Sequence, residues 1–234
     1  GVDREAGGED VRGLRAKLSE AFERGDLAAA LTALHTRFGE NTHSLARLFK
    51  DEQRAVLAAL TAPAVSAAVE AYRRVFEANL ESLKFLSWLH SPLPREMVDA
   101  GRHAVQRDLE DIFAADRLDA PALRQATDAA LRWGLELDRV RLAVLAGRWL
   151  ARLAARFEAR ARDPVRIEEL LEAVELCLPL KLDANLWQAQ NACFRAVAKT
   201  YPAMKARPEA QRWVAAFERL ARVLKVSLPG SAGP

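Results

Sequence analysis

Apolar residues recur at three- and four-residue steps along most of the chain, the spacing that lines one face of an α-helix. Glycine and proline fall mainly where one such stretch gives way to the next, so the pattern offers few signals for strands. We therefore expect an all-α protein of about nine helices. A short helical hairpin is predicted over 10–38, and further helices over 45–60, 63–90, 95–115, 121–133, 139–162, 165–178, 184–200 and 209–225.

Aspartates stand at the start of several predicted helices, where an N-cap side chain accepts a hydrogen bond from a free backbone N–H. The predicted N-caps are Asp26, Asp119, Asp138, Asp163 and Asp183. Short connections make neighbouring helices run in opposite directions, so the expected architecture is an antiparallel helical bundle or array. No fixed repeat period is visible. We expect a single domain over 10–228, with 1–9 as a linker or end segment and 229–234 as a tail.

The composition is that of an ordinary globular protein. Half of the 234 residues are hydrophobic and 29% are charged, which argues against a disordered chain. The formal net charge of +3 is small for this length, so it gives no strong reason to expect a nucleic-acid partner. No apolar run approaches the roughly 20 residues of a membrane span, so no membrane partner is expected.

The cysteines and histidines give no sign of a metal site. Cys177 and Cys193 lie inside apolar helical patterns without a CxxC spacing, so both are expected to be buried free thiols. Such thiols, together with an N-terminus that lacks the apolar segment of a signal peptide, favour the cytoplasm. The four histidines form no HxxxH or HExxH pattern, so neither a metal nor a cofactor is predicted.

The segment 184–194 contains no charged residue, although the chain as a whole is 29% charged. It carries a tryptophan, a phenylalanine and four carboxamides, which are Trp187, Phe194, Asn185, Gln188, Gln190 and Asn191. One interpretation is a central helix whose amides bond neighbouring backbone. The other is a polar, uncharged surface that faces a sugar or a partner domain, because indole rings pack on apolar C–H groups and carboxamides exchange hydrogen bonds with hydroxyls.

A second candidate surface lies where the long helix over 63–90 ends. Phe85, Trp88 and His90 precede the proline-rich turn at 91–94. Such a corner is usually a hydrophobic plug, and a single histidine there suits a helix C-terminus or a packed ring better than a metal. We keep Trp88 and His90 as candidate binding residues.

An arginine stripe runs along the helix predicted over 139–162, and its members are Arg141, Arg148, Arg152, Arg156 and Arg160. Alone it would suit phosphate groups. The next helix carries Glu168, Glu172 and Glu175 at matching steps. We expect these two helices to form a solvated salt-bridge seam, which makes nucleic-acid binding the weaker interpretation.

Catalytic motifs are missing from the sequence. It contains no GxSxG, no Walker-type glycine loop and no HExxH, and no spacing singles out an acid and nucleophile pair among its carboxylates. We therefore predict no catalytic residue and no independent enzymatic activity for this chain.

Six short phrases follow one another along the chain. They are SLARLFKDEQR at 44–54, AYR at 71–73 with Asn79 and Leu80, SPLP at 91–94, WGLELD at 133–138, ANLWQAQN at 184–191 and Tyr201–Pro202. In this order they resemble the helical C-terminal domain, itself of undefined function, of glycoside hydrolase family 57 proteins. The likeness runs from about Leu14 to Leu228.

That resemblance implies a parent protein whose catalytic carboxylates lie on an N-terminal (β/α) barrel acting on α-glucans or related α-glycosides. Nothing in this chain matches the barrel, so no catalytic residue carries over. The implied partner is the barrel, and possibly an oligosaccharide in its cleft. Our leading hypothesis is a non-catalytic accessory domain that packs on the barrel and helps shape this cleft. The alternative is a helical protein-interaction scaffold with no carbohydrate role.

Overall fold

The computed structural model describes residues 50–229 continuously, together with part of the residues between 13 and 36. The chain divides into two compact units, Gly1–Ala71 and Tyr72–Pro234. Every regular element among the described residues is helical, which confirms the all-α prediction. Most of the hairpin predicted over 10–38 and the start of the helix predicted over 45–60 lie outside the described residues.

Nine α-helices lie within residues 50–229. They are α1 (Lys50–Ala78), α2 (Leu80–Trp88), α3 (Arg95–Ala114), α4 (Ala120–Arg132), α5 (Arg139–Ala159), α6 (Pro164–Cys177), α7 (Trp187–Lys199), α8 (Tyr201–Lys205) and α9 (Gln211–Val223). Two short 3-10 turns, Leu178–Leu180 and Pro208–Ala210, follow α6 and precede α9.

Four of the five predicted aspartate N-caps are confirmed, and one of them is Asp26, whose Oδ1 accepts the backbone N–H of Ala29 at 2.9 Å. The side chains of Asp119, Asp138 and Asp163 accept hydrogen bonds of 2.9 to 3.0 Å from backbone N–H groups at the starts of α4, α5 and α6. Asp183 is not a cap, because α7 begins at Trp187 rather than Ala184. The side chain of Asn185 is nearer to the start of α7, and its Oδ1 accepts the backbone N–H of Trp187 at 2.9 Å.

The helix predicted over 63–90 also differs from the structure. Pro63 does not start a helix but lies inside α1, where alanines on both sides of the proline favour the helical conformation. The helix then ends at Ala78, because Asn79 turns its side chain back and donates from Nδ2 to the carbonyl of Val75 at 2.7 Å.

Three helical hairpins stack in the second unit, and they are α3–α4, α5–α6 and α7–α9. Arg141 pairs with Glu110 and Arg152 reaches the carbonyl of Phe113, so α3 and α5 run in the same direction. Arg195 pairs with Glu158, while the backbones of Gly147 and Asn185 lie side by side, so α5 and α7 are parallel too.

The other helices of the hairpins form a second parallel row. Glu168 pairs with Arg212 and Glu175 with Arg219, which aligns α6 with α9. Arg124 of α4 pairs with Glu172 of α6. The predicted antiparallel arrangement therefore holds within each hairpin, whereas successive hairpins stack in parallel, as in helical repeat proteins. The first-row helices begin at Arg95, Arg139 and Trp187, at unequal spacings that show no fixed period in the sequence.

Large apolar side chains fill the space between the two rows. The largest fully buried ones include Phe113, Trp149, Phe157, Ile167, Trp213 and Phe217. Trp213 stacks on Phe217 with ring centroids 4.8 Å apart, and its indole N–H donates to the carbonyl of Ala161 at 2.9 Å. The core thus satisfies the polar atom of this tryptophan while it buries the ring.

The two cysteines lie in this core. Both Cys177 and Cys193 are buried free thiols, as predicted. Burial disfavours the charged thiolate, and it raises the pKa of each thiol to about 12. These sulfurs are therefore protonated structural groups at neutral pH.

Candidate interaction surface

Helix α7 presents the uncharged segment to solvent on one side and to the core on the other. Its buried side consists of small residues, Ala189, Ala192, Cys193 and Ala196. On the opposite side the side chains of Trp187 and Phe194 remain 59% and 67% exposed. The helix is therefore an edge of the array with a well-packed inner side and an aromatic outer side.

The four carboxamides predicted as binding residues divide into two pairs. Exposed Asn185 accepts the N–H of Trp187 at the start of α7, and half-buried Gln190 donates from Nε2 to the carbonyl of Leu224 at 3.1 Å, so these two stabilise the fold. Gln188 is exposed and Asn191 is half-buried, and neither side chain makes a hydrogen bond to the described residues. Only this second pair keeps its amide groups for a ligand.

Helix α5 continues the same outer side. Its flanks are fixed by contacts, with Arg141 and Arg152 toward α3 and Gly147 toward α7. Between these flanks Val140, Val144 and Arg148 are exposed, with Val140 at 79%. A Cβ added to Gly147 would lie 3.1 Å from the backbone nitrogen of Asn185, so the glycine permits the segment that leads into α7 to pass close to α5.

We call this surface the α5–α7 face and define it by Val140, Val144, Arg148, Trp187, Asn191 and Phe194. Sequence reasoning selects Trp187 and Asn191 but misses the two valines. The sequence offers only a weak signal for them, because two β-branched residues four apart in a helix are exposed or buried according to which helices pack beside them.

The arginine stripe of α5 has different partners from the predicted ones. Arg152 donates to the carbonyls of Phe113 and Ala115 at 2.9 and 3.0 Å, and Arg156 contacts the carbonyl and carboxylate of Asp116. These groups form the C-terminal end of α3, where the helix dipole favours cations. Stacking in parallel places this end, rather than the acidic side of α6, beside the stripe.

The acidic residues of α6 face the second row instead. Glu168, Glu172 and Glu175 pair with Arg212, Arg124 and Arg219, so the predicted seam between α5 and α6 is wrong. Hydrogen bonds from the guanidinium of Arg212 lower the pKa of Glu168 below its ordinary value of 4.5. The glutamates of α6 are therefore neutralised by arginines of α4 and α9 and not by the arginine stripe of α5.

No family model, curated protein or solved structure matches this chain. None of the helices in the described part of the chain is long and apolar enough to cross a membrane. Among the described residues, no group of three or more histidine, cysteine, aspartate or glutamate side chains is placed to hold a metal ion.

The second predicted surface lies at the end of α2. Trp88 is 73% exposed, and its ring lies beside that of Phe85 with centroids 6.2 Å apart. His90 is exposed and has a left-handed backbone with φ of 54°. The corner is therefore an exposed aromatic pair at a helix end and not the buried plug that its sequence suggests.

Proposed function

We propose that this chain is a non-catalytic helical accessory domain that packs on a neighbouring protein domain through its α5–α7 face. The observation that carries the proposal is the exposure of Trp187 and Phe194 on the outer side of a helix whose inner side is tightly packed. Aromatic residues in such positions are the usual anchors of protein interfaces.

Burial of these two aromatic rings against a partner would stabilise the association. Removal of apolar surface from water is worth about 25 cal/mol per Å², and large aromatic side chains supply most of this area at interfaces. The amides of Gln188 and Asn191 lie near Trp187 along α7 and supply hydrogen bonds at a polar rim.

The resemblance to family 57 glycoside hydrolases names the first partner to test, which is the catalytic barrel of the parent protein. In this proposal the barrel holds the catalytic carboxylates, and the helical domain supports it in the cytoplasm, where buried reduced cysteines persist. An interaction scaffold without a carbohydrate role uses the same face for a different protein.

An oligosaccharide is a second candidate ligand, favoured by the combination of an exposed indole ring with two carboxamides that make no hydrogen bond to the described part of the chain. Trp187 offers a flat apolar ring, while Gln188 and Asn191 both donate and accept hydrogen bonds. A domain that helps shape an α-glucan cleft needs an aromatic ring and free amide groups at the edge of its contact with the barrel.

The test measures binding of the whole chain to a separately expressed family 57 barrel and, in parallel, to a soluble α-glucan oligosaccharide by titration calorimetry. We expect the double variant Trp187→Ala, Phe194→Ala to weaken barrel binding by at least about tenfold, because hot-spot truncations cost 2 kcal/mol or more. Trp88→Ala is the control, since it removes an indole that is even more exposed, at 73% against 59%, from another helix.

Barrel binding that is equally tight with the double variant contradicts the proposal. If Trp88→Ala abolishes barrel binding and the double variant does not, the interface lies on α2. Oligosaccharide binding that depends on Trp187 without any barrel binding would favour the second candidate.

A further inference from the structure

The charges on helices α5 and α7 themselves are strongly one-sided. Helices α5 and α7 together carry seven cations and one acid. The cations are Arg139, Arg141, Arg148, Arg152, Arg156, Arg195 and Lys199, and the acid is Glu158. This imbalance contrasts with the second row, where arginines and glutamates pair across α4, α6 and α9.

Four of the seven cations have partners within the fold. Arg141 pairs with Glu110 and Arg195 with Glu158, while Arg152 and Arg156 hold the end of α3. The remaining three, Arg139, Arg148 and Lys199, are exposed and form no ion pair with any residue that the structure describes.

The position of Arg139 is electrostatically unfavourable. It is the first residue of α5, and a helix N-terminus carries partial positive charge that favours acids over bases. Lys199 suits the last turn of α7, but Arg148 in the middle of α5 gains nothing from the dipole. Helix stability therefore does not explain the cations at 139 and 148. Binding of an acidic ligand would explain them.

Apolar side chains stand among these cations. Val140 follows Arg139, Val144 lies one turn before Arg148, and Trp187 opens the neighbouring helix. The surface thus combines apolar side chains with three exposed cations that form no ion pair with the described residues. A polyphosphate ligand would leave the valines and indole uncovered, whereas a protein segment with apolar and acidic residues covers both.

We propose that the α5–α7 face binds an acidic amphipathic helix of its protein partner. The apolar stripe of this helix packs on Val144, Trp187 and Phe194, and its flanking aspartates or glutamates pair with Arg139, Arg148 and Lys199. A helix suits the face because it presents apolar residues at three- and four-residue steps with charged residues beside them. This inference rests on the proposed function and specifies the chemistry of the partner.

The test uses two synthetic helical peptides of about 18 residues, five turns long, with the same leucine and phenylalanine stripe. One peptide carries glutamates beside the stripe and the other carries lysines. Binding to the whole chain is followed by fluorescence polarisation. We expect the glutamate peptide to bind at least about tenfold more tightly, with an affinity that falls as salt rises.

Variants of the chain separate the charges from the apolar side chains. The double variant Arg148→Glu, Lys199→Glu should weaken the glutamate peptide by at least about tenfold, because like charges then face each other. Arg162→Glu is the matched control, since it reverses an exposed arginine in the turn after α5 and should leave binding unchanged.

Equal binding of the two peptides, with loss of both on Trp187→Ala, overturns the acidic-partner inference and leaves the proposed interface intact. Failure of both peptides overturns the inference as well, while barrel binding decides the proposed function separately. Tight, salt-dependent binding of a duplex oligonucleotide that displaces the glutamate peptide would assign the face to nucleic acid instead.

Discussion

Trp187 and Trp213 are the same residue type in opposite surroundings. Trp187 is 59% exposed, whereas Trp213 is stacked on Phe217 and hydrogen-bonded to Ala161. We expect Trp187→Ala to change the free energy of unfolding by less than about 1 kcal/mol and Trp213→Ala to lower it by about 3–5 kcal/mol. Denaturant midpoints with unchanged slopes measure both. A large loss for Trp187→Ala would identify it as a core residue.

Glu168 gives the fold a pH-dependent ion pair. Hydrogen bonds from Arg212 hold the pKa of its carboxyl below the ordinary value of 4.5, so the native state favours the charged form. The stabilisation is present above that value and is lost as the pH falls through the lowered pKa.

We therefore expect Arg212→Ala to destabilise the protein at neutral pH and to have progressively less effect as the pH falls below 4.5. Unfolding curves of both proteins across this range measure the difference. In a Glu168→Gln background the Arg212→Ala effect should be small and independent of pH, and a persistent pH dependence there would assign the effect to another acid.

At the scale of single helices, the sequence predicts what local interactions decide. The starts at Asp119, Asp138 and Asp163 are correct because an aspartate needs only the N–H groups two or three residues later. The start at Asp183 is wrong because Asn185 competes for the same role from a nearer position. The partners of the arginine stripe depend on which helix lies beside α5, and helix periodicity contains no such information.

The contact of α5 with the end of α3 is the clearest test at this scale. Arg152 donates to the carbonyls of Phe113 and Ala115, groups that have no partner within their own helix. We expect Arg152→Ala to lower the free energy of unfolding by about 1–3 kcal/mol, since it removes charged hydrogen bonds.

Arg148→Ala on the same helix should stay within about 0.5 kcal/mol, because its side chain is exposed and has no ion pair with described residues. Thermal or denaturant unfolding of the two variants compares them directly. Equal losses of unfolding free energy in the two variants would mean that the hydrogen bonds of Arg152 do not stabilise the fold.

At the scale of the whole molecule, stacked hairpins should differ in local stability according to the number of their neighbours. Helix α5 has both α3 and α7 beside it, and α6 has both α4 and α9. We expect the slowest native-state amide hydrogen exchange in α5 and α6 and faster exchange in α2 and α8, because local opening follows the loss of packed neighbours. Uniform protection across all these helices would contradict an array stabilised by nearest neighbours.

The same scale explains what the sequence could not predict about the candidate surface. The charge-free segment with Trp187 stands out in the sequence, but its exposure depends on α7 being the last helix of its row. Val140 and Val144 share the outer side with Trp187 because α7 packs beside α5, with the backbone of Asn185 just before α7 close to Gly147. Pattern reasoning finds the unusual helix, whereas the stacking order decides which of its neighbours share a face.

The parallel stacking also bears on how the chain acquires its structure during synthesis. The side-chain hydrogen bonds between hairpins in the described unit join residues 31 to 52 positions apart, from Arg141 with Glu110 to Trp213 with Ala161. Each hairpin that leaves the ribosome therefore finds its docking surface already made by the one before it. Nothing in this unit needs to wait for a distant C-terminal segment, so folding can proceed from the N-terminus at the pace of translation.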